Sequence, residues 1–230
     1  MLPARLLLFA FWQIGFMLIA AAMSSFDPWR ASAAWWPLTA VLANIVCIWL
    51  LVNLLRQEGS IYRDLFRIRR DTLKQDLLIL LGATLLFGPV AFLPNILVAN
   101  WLFGTQQIAL DLFIQPLPIW AFVTALVLFP LTMALAELPT YFGYSMPRIE
   151  AQTGRRWLAV LLPAFFLAVQ HCTLPLVFDG RFLAWRLLMF LPFALLLGVI
   201  LRWRPQLLPY LVIVHGLMDL ATVVMIPVTG

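Results

Sequence analysis

The sequence predicts an all-α polytopic transmembrane helical bundle, about seven spans with one basic amphipathic helix at the membrane interface. Three observations carry that reading. Of the 230 residues, 64% belong to the set AVILMFWYC and only 11% are charged, against about 45–50% apolar and about 25% charged in an ordinary soluble domain. The apolar residues gather in runs over 6–23, 33–55, 77–103, 117–143, 157–178, 182–201 and 207–228, and a spanning helix needs roughly 20 such residues. The Arg and Lys residues between these runs are dense in every second loop and sparse in the others, the pattern that fixes orientation in a bilayer.

Composition also excludes other classes. A mean hydropathy of +0.99 with 18 Phe, 10 Trp and 16 Pro is incompatible with a disordered, collagen-like or coiled-coil chain, which needs polar, Gly-periodic or heptad patterning. The net charge of +5 does not point to nucleic acid, because the basic residues, all Arg except Lys74, sit in short clusters between apolar runs. Cys47 and Cys172 lie inside apolar runs, where a thiol behaves as a small hydrophobe rather than as part of a disulfide framework.

Taken in order, the first run follows Arg5 and exceeds the 7–15 apolar residues of a signal peptide, so it reads as an uncleaved helix. One set of loops holds Arg5, then Arg56, Arg63, Arg67, Arg69, Arg70 and Lys74, then Arg148, Arg155 and Arg156, then Arg202 and Arg204. The other holds only Arg30, Arg181 and Arg186. That asymmetry places the N-terminus in the cytoplasm and the C-terminus outside, in a bacterial-type plasma membrane. Trp29, Trp35, Trp36, Trp101, Trp120 and Trp185 fall at the outer interface and Trp157 and Trp203 at the inner one, as in an aromatic belt. Between the second and third runs, residues 56–76 are too polar to span. Arg63, Arg67, Arg70 and Lys74 form one helical stripe and Ile61, Leu65 and Ile68 another, which predicts a helix on the inner membrane surface, serving either as a positive-inside anchor or as a basic face for anionic lipid or a partner. Residues 1–230 read as one membrane domain, with 1–116 carrying the N-terminal spans and this interfacial helix, and 117–230 a motif-bearing core.

Ionisable groups inside spans are costly and mark sites. Here they are Glu137 in the fourth run, His171 in the fifth, and His215 with Asp219 in the seventh. His215 and Asp219 are four residues apart and so share a helical face. At about 1.5 Å per residue the four lie within roughly 10 Å of one another in depth. Residue chemistry leaves several readings open. A carboxylate beside a histidine activates water for peptide hydrolysis while a second polar pair binds the oxyanion. The same four side chains are ordinary zinc ligands, without the HExxH spacing. They also suit a proton relay, and polar residues between spans serve as interhelical hydrogen bonds.

The order and placement of these residues resemble the CAAX prenyl endopeptidase and bacteriocin-processing (CPBP, Abi) family of intramembrane proteases, whose pattern is EExxxR, FxxxH and HxxxN or HxxxD. Here the segments read AELPTY over 136–141, LAVQH over 167–171 and HGLMD over 215–219. The resemblance covers about 117–230. It implies an intramembrane endopeptidase that hydrolyses a membrane-associated protein or peptide. Glu137 and His171 would activate water, His215 and Asp219 would stabilise the oxyanion, and no cofactor would be required unless zinc is used. Ala136, Tyr141 and Leu167 depart from the pattern, where the family has glutamate, arginine and phenylalanine. A catalytically lapsed relative acting as scaffold or immunity-type binding protein is therefore the alternative, with a transporter third. Pro139 predicts a disrupted turn able to rotate Glu137 inward.

Overall fold

The computed structural model describes residues 1–229. Lipid offers no hydrogen-bond partners to the backbone, so spanning segments must satisfy their own. The chain does so as helices: α1 (Ala4–Ala22), α2 (Pro28–Ala33), α3 (Trp36–Gln57), α4 (Leu73–Phe103), α5 (Gln106–Phe113), α6 (Ile119–Leu138), α7 (Met146–Thr153), α8 (Arg156–Gln170), α9 (Gly180–Trp203) and α10 (Leu208–Val224). A π-helical turn, Pro139–Ser145, joins α6 to α7 without a break. The extended pair is minimal, β1 (Leu117–Pro118) lying parallel to β2 (Val228–Thr229), with Leu117 opposite Val228.

Local chemistry sets the ends. Asp27 accepts from the Arg30 amide to start α2, and Asp179 accepts from the amides of Arg181 and Phe182 to start α9, in the manner of helix N-caps. Gly104 closes α4 and Gly154 closes α7 at φ +77° and +64°, a left-handed conformation that glycine adopts without steric cost.

Among the described residues six helices are long and apolar enough to cross a membrane, and exposed Leu, Phe and Trp side chains such as Leu78, Leu85, Phe92 and Trp101 cover the outer face of α4. The protein is an integral membrane protein by that measure. Helix α6 is central, packing against α3 on one side and α10 on another, while α9 packs against α4 and α8. One apolar cluster forms around Trp36, Phe113, Phe129, Phe182 and Trp185, and a second around Phe142, Leu167, Leu197 and Leu208.

Four expectations need correction. The run 157–178 is not one long helix: α8 has 15 residues, about 22 Å at 1.5 Å per residue, because Pro175 disfavours helix at the residue before it and the chain turns at His171. Residues 56–76 do not form a continuous interfacial helix. They give the end of α3, a short 3₁₀ turn over Tyr62–Phe66, an extended Arg67 and the first residues of α4. Like charges three and four residues apart oppose a helix there, and Arg69 pairs instead with Asp71 at 2.9 Å, holding that exposed carboxyl below its usual range. Trp36 and Trp185 are buried in the core and so are not interfacial. Arg5 and Arg186, counted with the loops, are buried within α1 and α9.

Candidate active site

Glu137 owes its position to the turn that follows it. Pro139 lacks an amide hydrogen and leaves the carbonyl four residues back, that of Leu135, without its helical partner. The helix widens into the π turn, where Thr140 donates to the Ala136 carbonyl and Ser145 to that of Thr140. The freed Leu135 carbonyl is taken by the Tyr62 hydroxyl. Such π turns recur at functional sites. Both Ala136 and Glu137 are completely buried.

Glu137 is then held from three other helices. Its Oε1 lies 2.7 Å from His215 Nε2. Its Oε2 accepts from the Gln170 amide on α8 and lies 3.6 Å from Arg5 Nη2 on α1. Arg5 Nε donates to Gln170 Oε1 at 2.7 Å, and the Tyr141 hydroxyl donates to the same oxygen at 3.0 Å. The guanidinium near the carboxylate is that of Arg5.

His215 reaches Glu137 because α10 and α6 approach closely. A Cβ on Gly216 would stand 3.2 Å from the Ala134 Cβ and 3.4 Å from the Pro130 carbonyl oxygen, the kind of contact small residues permit between membrane helices. Asp219, one turn on, places Oδ2 3.5 Å from the same His215 Nε2. The imidazole is thus set between two carboxylates. Its contact with Glu137 is close but poorly aligned, so His215 Nδ1 and Nε2, Glu137 Oε1 and Asp219 Oδ2 are buried without a completed hydrogen bond. Buried polar groups with incomplete hydrogen bonding are expensive, and here they gather on the facing helices α6 and α10.

His171 ends α8. Its Nδ1 lies 2.8 Å from the Leu167 carbonyl and its ring stacks on Phe190, centroids 3.5 Å apart. A carbonyl only accepts, so Nδ1 carries a proton and Nε2 of the neutral ring is left as the acceptor. His171, His215 and Asp219 line one cavity of about 340 Å³ whose other walls are mostly aromatic and aliphatic, including Trp36, Phe129, Phe190 and Met218. Glu137 is not in its lining and stands behind His215. Phe92 on α4 and Met225, just past the end of α10, also line the cavity and are 66% and 58% exposed, so the cavity opens to the surface between them.

All four expected site residues are therefore brought to one region. Among the described residues no three His, Cys, Asp or Glu side chains converge so as to hold a metal ion. Three participants escaped the sequence reading. Arg5 looked like a charge preceding the first span, Gln170 is an uncharged polar residue in an apolar run, and Arg186 fell near a loop. No helical spacing marked them: Gln170 adjoins His171, and Arg5 has no other ionisable side chain within a turn. Comparison of the chain with family models, curated proteins and solved structures gives no match.

Proposed function

We propose that the protein is an intramembrane endopeptidase of the kind the CPBP motifs suggest, hydrolysing a peptide bond of a membrane-associated protein or peptide with water activated by His171 and by Glu137 acting through His215. The observation that carries this reading is the 2.7 Å contact of Glu137 with His215 beside a cavity lined by His171, His215 and Asp219. Acyl transfer needs a proton acceptor and donors aimed at a developing oxyanion. His171 Nε2 is an acceptor on the cavity wall. His215 lines the same cavity, held at Nε2 by Glu137 and Asp219, which leaves its Nδ1 as the nitrogen free to donate. The substrate enters from the lipid side past Phe92 and Met225, and the apolar walls keep bulk water away from the reacting bond.

The same proposal places the N-terminus in the cytoplasm and the C-terminus outside a bacterial-type plasma membrane, with the basic residues of 56–76 against anionic lipid. One observation favours a second reading. Both oxygens of Glu137 are engaged by His215, Gln170 and Arg5, with none of its surface exposed, which suits a structural carboxylate in a lapsed relative that binds peptides without cutting them. Purified protein in lipid nanodiscs with a quenched fluorescent membrane peptide separates the two. Cleavage lost in Glu137→Gln and in His171→Gln supports the enzyme. A wild-type protein that binds the peptide and leaves it intact establishes the second reading.

A further inference from the structure

Arg186 lies two turns into α9, 3% exposed. Its Nε donates to the His171 carbonyl and its Nη2 to that of Leu174, each at 3.1 Å. The guanidinium carbon sits 4.1 Å from the Phe113 ring centroid and 4.9 Å from that of Phe190. These contacts orient the group and cushion its charge, yet among the described residues no carboxylate pairs with it and Nη1 makes no hydrogen bond. An unpaired cation inside a spanning helix is costly and marks a site. Arg186 also lines the same cavity as His171, His215 and Asp219.

We propose that Arg186 is an anion-binding subsite of this cavity, receiving a carboxylate of the bound peptide. This rests on the peptide reading of the site. The planar guanidinium matches a carboxylate, and the surrounding aromatic and aliphatic walls accept the apolar residues around it. Counted from the turn joining α9 to α10 at about 1.5 Å per residue, Arg186 lies roughly 25 Å and Asp219 roughly 16 Å along the bundle. That difference, about 9 Å by the same count, is within reach of one short peptide. The His171 backbone is held by Arg186 and its ring by Phe190, so an anion bound here sits directly beside a histidine of the proposed reaction. The carboxylate has two sources, an acidic side chain or the free end of the peptide.

Binding decides the matter without any cleavage. Full-length protein in neutral-lipid nanodiscs is titrated with two pairs of acetylated apolar hexapeptides. One pair ends in a free carboxylate or an amide; the other is amidated and carries Glu or Gln at its fourth residue. At least one acidic peptide is expected to bind roughly tenfold or more tightly than its neutral twin, the scale of a charge-assisted hydrogen bond. The pair that shows the preference identifies the source. Arg186→Gln should abolish the preference, read as the ratio of acidic to neutral affinity within each pair, and Arg186→Lys should retain part of it. Equal binding within both pairs by wild-type protein, no binding of either acidic peptide, or a preference that survives in Arg186→Gln each overturns the proposal. Palmitate binding with the same Arg186 dependence, while the peptides fail, assigns the subsite to fatty carboxylates and overturns it too. Should Arg186→Gln misfold, the wild-type pairs and Arg186→Lys still decide. A clear preference in a protein that cleaves nothing leaves this subsite standing and removes the protease reading; cleavage indifferent to the acid does the reverse.

Discussion

Nε2 of His215 lies 2.7 Å from Oε1 of Glu137, although the two residues belong to α10 and α6 and are far apart in sequence. If they act as one unit, their losses should not add. Glu137→Gln keeps size and removes the carboxylate through which His215 is held and charged, and loss of such acid–base assistance slows turnover by roughly 10²–10⁴-fold. His215→Gln should slow it comparably, and the double variant little further. Single-turnover rates on a membrane peptide test this. Losses that multiply show two independent roles and separate Glu137 from His215.

Gly216 is expected to be the least tolerant residue of α10. A side chain there would press on Ala134 and the Pro130 carbonyl, and overpacking costs roughly 1–3 kcal/mol. Gly216→Val should lower thermal stability in detergent and abolish activity together, because α10 carries both His215 and Asp219. A Gly216→Val protein of unchanged melting temperature would mean that α6 and α10 do not touch there.

Tyr62 should stabilise the turn from outside it. Tyr62→Phe deletes only the hydroxyl that meets the Leu135 carbonyl and leaves that acceptor unpaired, a loss of about 1–3 kcal/mol. Burial raises the pKa of this phenol above its ordinary value. Its contribution is thus fully present below about pH 10, the unfolded value, and is lost as pH rises through the higher folded one. Wild type and Tyr62→Phe should differ in melting temperature near neutrality and converge only in strong alkali. Equal stability at pH 7 would remove the proposed link between this loop and the π turn.

Hydropathy alone disclosed most of the bundle, because a lipid solvent enforces long apolar helices whatever their neighbours are. It failed where a partner distant in sequence decided the outcome. Residues 61–74 carry a helical stripe, yet Tyr62 is drawn to Leu135 and Leu65 lies against Gly143, and these contacts favour a short turn. Glu137, His171, His215 and Asp219 were legible as ionisable groups in apolar runs. Arg5 and Gln170 were not, since a charge preceding a span has an ordinary topological explanation and an amide inside one has no distinctive period.

Orientation has its own test. Single cysteines introduced at Ser60 and Gln152 lie in the loops assigned to the cytoplasm, and with Cys47 and Cys172 replaced they should resist impermeant thiol reagents in intact cells. Cysteine at Gln106, across the membrane, should label. The reverse pattern inverts the whole assignment, including the side from which the basic residues of 56–76 meet anionic lipid.

Arg5 gives the sharpest separation of structure from chemistry. It is completely buried with Glu137, sharing Gln170. Removing one partner of a buried pair leaves the other uncompensated, at a loss of about 3–5 kcal/mol, whereas replacing both with apolar residues of similar volume is often neutral. Arg5→Met should therefore destabilise the protein strongly. Arg5→Met combined with Glu137→Leu should recover much of the melting temperature, with Gln170 and Tyr141 still able to pair through the hydroxyl. Activity should not return, because the carboxylate that orients His215 is gone. Arg5→Lys retains charge but not the two-point contact with Gln170 and Glu137, and should fold with reduced turnover. A double variant as stable as wild type that still cleaves would exclude Glu137 from the reaction and leave His171, His215 and Asp219 as the groups to be examined next.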